Sequence, residues 1–181
     1  NNNYVYRLAA IYANNKQVDE AEKLLLSRID SDDTDSQLAY ISFLDTYKSS
    51  EDATIKLKEF SLESENGRLK IALGKRYLAS NQTDEAKLLF AQLSNDITVV
   101  EHAEAKNELS MLYLNDNDAQ SALDLVQEVL SEQPNNLRAL VLRGKMAVSS
   151  RDAPQAVSDF RIILRDQPNN TFVIRQLATA Y

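Results

Sequence analysis

The tetrapeptide Gln-Pro-Asn-Asn begins at Gln133 and again at Gln167, 34 residues later, in a chain with only three prolines. An interval of that length restricts the fold more than any composition does. It implies stacked supersecondary units, each unable to bury its apolar face alone and each covered by its neighbours. The flanking sequence keeps the same register. Gly144 lies 34 residues after Ser110 and 34 before Ala178, Ala156 lies 34 after Ala122, and Ala122 lies 36 after Ala86. Tyr113 follows Tyr77 by 36 residues and precedes Tyr181 by 68, with Ala147 in the slot between. The N-terminal stretch joins through Ala9, Tyr12 and Ala21, whose spacing of three and nine is that of Gly74, Tyr77 and Ala86.

Each unit reads as two helices. Glycine and proline occur three times each, while Ala, Leu, Glu, Gln and Lys are abundant, so the fold class is all-α with short connections. The first helix carries apolar residues at helical intervals, as in Leu109, Leu112 and Tyr113, and ends in a polar turn such as 115–118 or 149–152. Asp118 and Asp152 are expected N-caps, and Pro154 falls in a first helical turn, where it costs no hydrogen bond. The second helix then runs through Ala122, Val126, Val129 and Leu130, or Ala156, Phe160, Ile163 and Leu164. Small residues recur where paired helices must approach closely, and packing explains them without catalysis. The proline of each Gln-Pro-Asn-Asn stops a second helix, and Asn-Asn turns the chain into the next unit.

This pattern resembles the tetratricopeptide repeat: a Leu and a small residue, Tyr three on, Ala nine later, an aromatic four after that, and Pro near the end. The best copies are Leu73, Gly74, Tyr77, Ala86, Phe90; Leu109, Ser110, Tyr113, Ala122, Val126, Pro134; and Gly144, Ala156, Phe160, Pro168. The resemblance covers essentially the whole chain and implies an α-solenoid of antiparallel helix pairs, a superhelix of about five repeats plus one helix. As a single array, the repeats fall at approximately 2–35, 36–66, 67–102, 103–136, 137–170 and, in part, 171–181. The second is short and divergent. Ala9 to Gly74 is 65 residues, three fewer than two full repeats need, and the shortage lies around 46–54. Phe43 and Leu44 stand there where a small residue is expected, so those helices should sit further apart. Two extra residues between Asp96 and His102 lengthen the turn before the fourth repeat, and Arg28 takes a slot that is normally small.

Composition removes several functions. A net charge of −7 and a pI near 4.8 argue against a nucleic-acid partner, which needs a basic face. No apolar run approaches the length of a membrane span. Without cysteine there is no disulfide, thiolate metal site or cysteine nucleophile. His102 beside Glu101 and Glu104 reads as inter-repeat surface rather than a metal site, because one imidazole among solvated carboxylates is a poor ligand set. Glycines occur singly, so no phosphate loop exists, and no nucleophile elbow appears. Tyr12, Tyr47, Tyr77, Tyr113 and Tyr181 fit the core aromatic slot. The expectation is a non-enzymatic chain with no catalytic, cofactor-binding or metal-ligating residues and no cofactor.

What the resemblance leaves is surface. In the family the first helix of each repeat lines a concave groove. Carried over, that face holds Asn3, Tyr6, Ala10 and Ala13; Leu38, Ile41, Asp45 and Lys48; and Arg68, Ile71, Lys75 and Leu78. It continues with Glu104, Asn107, Met111 and Leu114, then Arg138, Val141, Lys145 and Val148, then Phe172, Arg175 and Thr179. Six basic residues against two acidic ones line it, although the whole chain has 20 basic and 27 acidic residues. The expected function is a protein–protein interaction scaffold whose groove takes a protein or peptide, with acidic groups paired by Arg and Lys and apolar ones covered by Ile71, Leu78, Val141 and Val148. The alternative is engagement of carbohydrate or an anionic polymer within an envelope export assembly, since the Asn-, Ser- and Asp-rich style is similar to that of bacterial cell-envelope repeat proteins associated with exopolysaccharide. That similarity favours the periplasmic side of the envelope over the cytoplasm. The Lys, Asn and Arg set with which chaperone-binding relatives hold a C-terminal carboxylate is absent.

The ends carry one more expectation. Ile174, Leu177, Ala178 and Tyr181 occupy slots that should pack on a further second helix, and Asn1-Asn2 matches the Asn-Asn after each internal Pro. The sequence is therefore expected to be a fragment of a longer array, with apolar end faces able to self-associate weakly.

Overall fold

The polar turns and the caps around them set the helix boundaries. In the computed structural model, which describes residues 2–30, 32–64 and 66–180, every regular element is α-helical. Among the described residues these are α1 (Asn2–Asn14), α2 (Val18–Leu26), α3 (Thr34–Tyr47), α4 (Ser50–Glu63), α5 (Gly67–Ala79) and α6 (Thr83–Asn95). There follow α7 (His102–Asn115), α8 (Ala119–Glu132), α9 (Leu137–Ser149), α10 (Ala153–Asp166) and α11 (Thr171–Ala180). The chain is an α-solenoid of helix pairs, as the repeat pattern predicts. It divides into two compact units, Asn1–Leu89 and Phe90–Tyr181.

Both expected caps are present. Asp118 Oδ1 accepts the Ser121 N–H at 3.1 Å and Asp152 Oδ1 that of Gln155 at 3.1 Å, with Pro154 in the first turn of α10. The Gln-Pro-Asn-Asn element does more than turn the chain. Its second asparagine folds back on the glutamine through backbone and side chain alike. Asn136 donates from N to Gln133 O at 2.9 Å and from Nδ2 to Gln133 Oε1 at 2.8 Å; Asn170 repeats this with Gln167 at 3.1 and 2.9 Å. The same asparagine then caps the following helix, Asn136 Oδ1 accepting from Ala139 N and Asn170 Oδ1 from Val173 N, both at 3.1 Å.

Four turns inside helix pairs share another device. Lys16, Asn81, Asn117 and Arg151 adopt the left-handed conformation, with φ of 66°, 58°, 64° and 62°. The following N–H then reaches back to the repeat's tyrosine slot: Gln17 to Tyr12 O, Gln82 to Tyr77 O, Asp118 to Tyr113 O and Asp152 to Ala147 O, at 2.8–2.9 Å. None of these positions is glycine, so the turns were not visible as glycine stops. The short second repeat lacks the device. There α3 ends on Tyr47 itself and a two-residue turn, Lys48–Ser49, leads into α4, which Ser49 caps. The missing residues are thus the last two of the first helix and one of the turn. Phe43 and Leu44 are buried, and the Phe43 ring lies between Tyr40 and Tyr47, with centroids 6.4 and 5.3 Å away.

Within the N-terminal unit α1 packs on α2 and α3, and α3 on α4 and α5. Ala9, Leu25, Phe43, Leu57, Phe60 and Leu69 belong to its core. Within the C-terminal unit α9 touches α7, α8, α10 and α11. Its core gathers Val126, Val129, Leu140, Phe160, Ile163 and Val173. The expectation placed on Tyr181, and that on the side chain of Asn3, lie outside the described residues.

Candidate functional site

The ten residues predicted to line a groove divide between the two units, and burial separates them further. On α5, Arg68 and Lys75 are exposed and Leu78 is half-buried, but Ile71 is 4% exposed and belongs to the interior. In the C-terminal unit Met111 on α7 is 39% exposed, Val141 on α9 is half-buried, and Lys145 and Arg175 are exposed. Asn107 is 2% exposed and spends its Nδ2 on Asn136 Oδ1 at 3.2 Å. Ile71 and Asn107 are therefore corrected from lining residues to packing residues.

Charge counted along one helix also misleads, because the partners come from the next. Arg68 Nη2 lies 2.7 Å from Asp35 Oδ1, and Arg138 Nη2 lies 2.8 Å from Oε2 of the buried Glu108. Lys48 is turned onto α2, where it bonds Glu22, whose Oε1 also accepts the Tyr40 hydroxyl at 2.8 Å. Asp45 is taken by Arg76, which donates to both its oxygens and to Ser50 O at 3.2 Å, tying α5 to α3 and to the start of α4. No motif announced Arg76. Lys145 and Arg175 have no carboxylate partner among the described residues. They stand on adjacent first helices, α9 and α11, with half-exposed Met111 and Phe172 on the same helix row.

His102 has a structural role. Its Nε2 lies 2.6 Å from Glu132 Oε2 and its Nδ1 2.9 Å from Val99 O. Both partners are acceptors, so it is the protonated ring, with a proton on each nitrogen, that satisfies both contacts. The bond to Glu132 raises its pKa above the ordinary histidine value against partial burial, which lowers it; the Val99 carbonyl adds to the rise and Lys106 opposes it. Lys106, itself buried, reaches Glu128 at 3.0 Å and Glu132 at 3.3 Å. A folded pKa raised above an unfolded value of about 6.5 gives stability that is fully present below that pH and lost as pH rises through the folded value. In melting curves, His102→Phe should therefore destabilise the protein at pH 5.5 and have a smaller effect at pH 9. Equal losses at both would show that the ring acts by packing alone. Among the described residues no group of three or more His, Asp or Glu side chains could hold a metal ion, and no helix is long and apolar enough to cross a membrane.

Successive helix pairs joined by short polar turns are the unit of the tetratricopeptide-repeat fold, and this chain has that fold. A tetratricopeptide repeat protein from Parabacteroides merdae superposes with a TM-score of 0.68 over 99% of this chain and 72% of that one, at 14% identity. PilF of Pseudomonas aeruginosa gives 0.67 over 90% and 75% of the two chains at 15% identity, and MamA 0.62 over 88% and 94% at 16%. No protein-family model and no curated protein sequence matches the chain.

Proposed function

We propose that the chain is a non-enzymatic interaction scaffold that holds an acidic, partly apolar segment of a partner protein on the first-helix face of its C-terminal unit. One observation carries the reading: Lys145 and Arg175 are exposed cations on adjacent helices without carboxylate partners among the described residues, beside exposed Met111 and Phe172. Such a face offers charge to carboxylates and apolar cover to the side chains between them. Val141 and Val148 extend the apolar part along α9. Arg138 steers rather than binds, because its guanidinium is already engaged by Glu108.

The probe is a decapeptide of alternating Glu and Leu, titrated beside an anionic oligosaccharide. Lys145→Glu/Arg175→Glu should weaken peptide binding by at least about tenfold, or 1.4 kcal/mol, with the melting temperature unchanged because both residues are exposed. Peptide binding that survives the double reversal at moderate salt rejects the reading. Preference for the oligosaccharide would move it to the polymer alternative.

A further inference from the structure

In the register of the repeats, Arg143 and Asp159 occupy two slots filled by leucine elsewhere: Leu8 with Leu24, Leu73 with Leu89, and Leu109 with Leu125. The fifth repeat thus sets an ion pair where three sister repeats set two leucines. The pair is fully made. Asp159, with no exposed side-chain surface, accepts from Arg143 Nε at 3.0 Å and Nη2 at 2.7 Å, and from Gln155 Nε2 at 3.0 Å. A buried ion pair is commonly no more stabilising than an apolar pair of similar volume. The sister repeats demonstrate that this fold accepts leucines at both slots, so stability does not account for the exchange.

What the exchange alters is a cleft. Arg143, a quarter exposed, lines a hollow of about 320 Å³ between α8 and α10, over the end of α9. That volume lies at the lower end of the range for ligand pockets. With Nε and Nη2 held by Asp159, the Nη1 edge of the guanidinium has no acceptor among the described residues and is left for the cleft. The surrounding chemistry narrows what can meet it. Asp159 neutralises Arg143 and Asp152 adds a carboxylate at the rim, which disfavours an anionic ligand. Gln127 and Gln155 offer amides, and Leu123 and Met146 offer aliphatic surface. No aromatic ring lines the hollow, so a sugar has no face to stack on.

We infer that this cleft is a second binding site, recognising an uncharged amide, an Asn or Gln side chain of a partner polypeptide, through its Nη1 donors. The ligand carbonyl accepts from Arg143, its NH2 donates to Gln127 or Asp152, and its stem lies on Leu123 and Met146. The cleft is built from second helices and the end of α9, and does not depend on the acidic-segment reading of the first-helix face.

Arg143→Leu/Asp159→Leu restores the leucine pair of the sister repeats and supplies the control. A displayed dodecapeptide library is selected on the full chain and subtracted on the double variant, which removes ligands of the first-helix face. Surviving peptides should share an Asn or Gln, bind the double variant at least about tenfold more weakly, and shift the NMR signals of Arg143 Nε–H and the Gln155 amide. The double variant should melt no lower than the parent. Absence of survivors, survivors dominated by Asp and Glu, or shifts confined to residues such as Lys145 would overturn the assignment. So would a double variant that melts well below the parent, since the pair would then serve the fold, or an oligosaccharide mixture that shifts the cleft signals where no peptide does.

Discussion

Gly144→Leu is expected to destabilise the C-terminal unit by about 3 kcal/mol, the upper end of the usual overpacking range. A Cβ at Gly144 would stand 2.6 Å from Cε1 and 2.7 Å from Cζ of Phe160. That ring is fully buried, in the core with Val126, Ile163 and Val173, so it cannot step aside without moving α10. Even Gly144→Ala should cost about 1–2 kcal/mol by the same clash. The chain contains its own remedy. In the fourth repeat the corresponding slots hold Ser110 and Val126, both with no exposed surface. Gly144→Ser combined with Phe160→Val should therefore recover much of the loss, giving a favourable coupling in a double-mutant cycle. For a unit of this size, 3 kcal/mol corresponds to a fall in melting temperature of roughly 12–24 °C, readable by circular dichroism. Additive effects of the two changes would mean that the glycine and the ring are not the contact that sets the helix spacing.

The second large effect is a removal of one charge alone. Arg143→Leu leaves the carboxylate of Asp159 fully buried with only the Gln155 amide to satisfy it. The expected cost is about 3–5 kcal/mol, since an uncompensated buried charge is far more costly than its pair is useful. The companion change Asp159→Leu should cancel that cost and leave the double variant at least as stable as the parent. Chemical denaturation of the four members of the cycle measures the coupling directly. A single variant as stable as the parent would show that Asp159 takes up a proton freely or reaches water, contrary to its burial.

These two effects also separate what was readable in advance from what was not. The 34-residue register located Gly144 as a small residue in a close helix contact, because close approach leaves a mark on residue type at a fixed interval. It gave no sign that Arg143, one residue earlier, would find Asp159, because no spacing rule marks an ion pair that replaces two leucines. The candidate face fared the same way. Lys145 and Arg175 were legible as exposed, being polar on a helix surface. Ile71 and Asn107, at equally regular spacing, proved to be interior, and Arg68 and Arg138 proved to be engaged by Asp35 and Glu108.

By itself the sequence determined the helix pairs, the interval at which they recur, the caps at Asp118 and Asp152, and the place where the second repeat is short. All of these rest on local chemistry: propensity, capping and turn residues act within a few positions of one another, so their cause is written where their effect lies. The left-handed turns at Lys16 and Arg151 are local as well, closed by backbone bonds to Tyr12 and Ala147, but no glycine marks them. The partners of each charged side chain and the cleft over Arg143 were decided by tertiary structure. They depend on which side chain from another helix arrives within hydrogen-bonding distance, and that meeting is fixed by the packing of whole helices rather than by any residue taken alone.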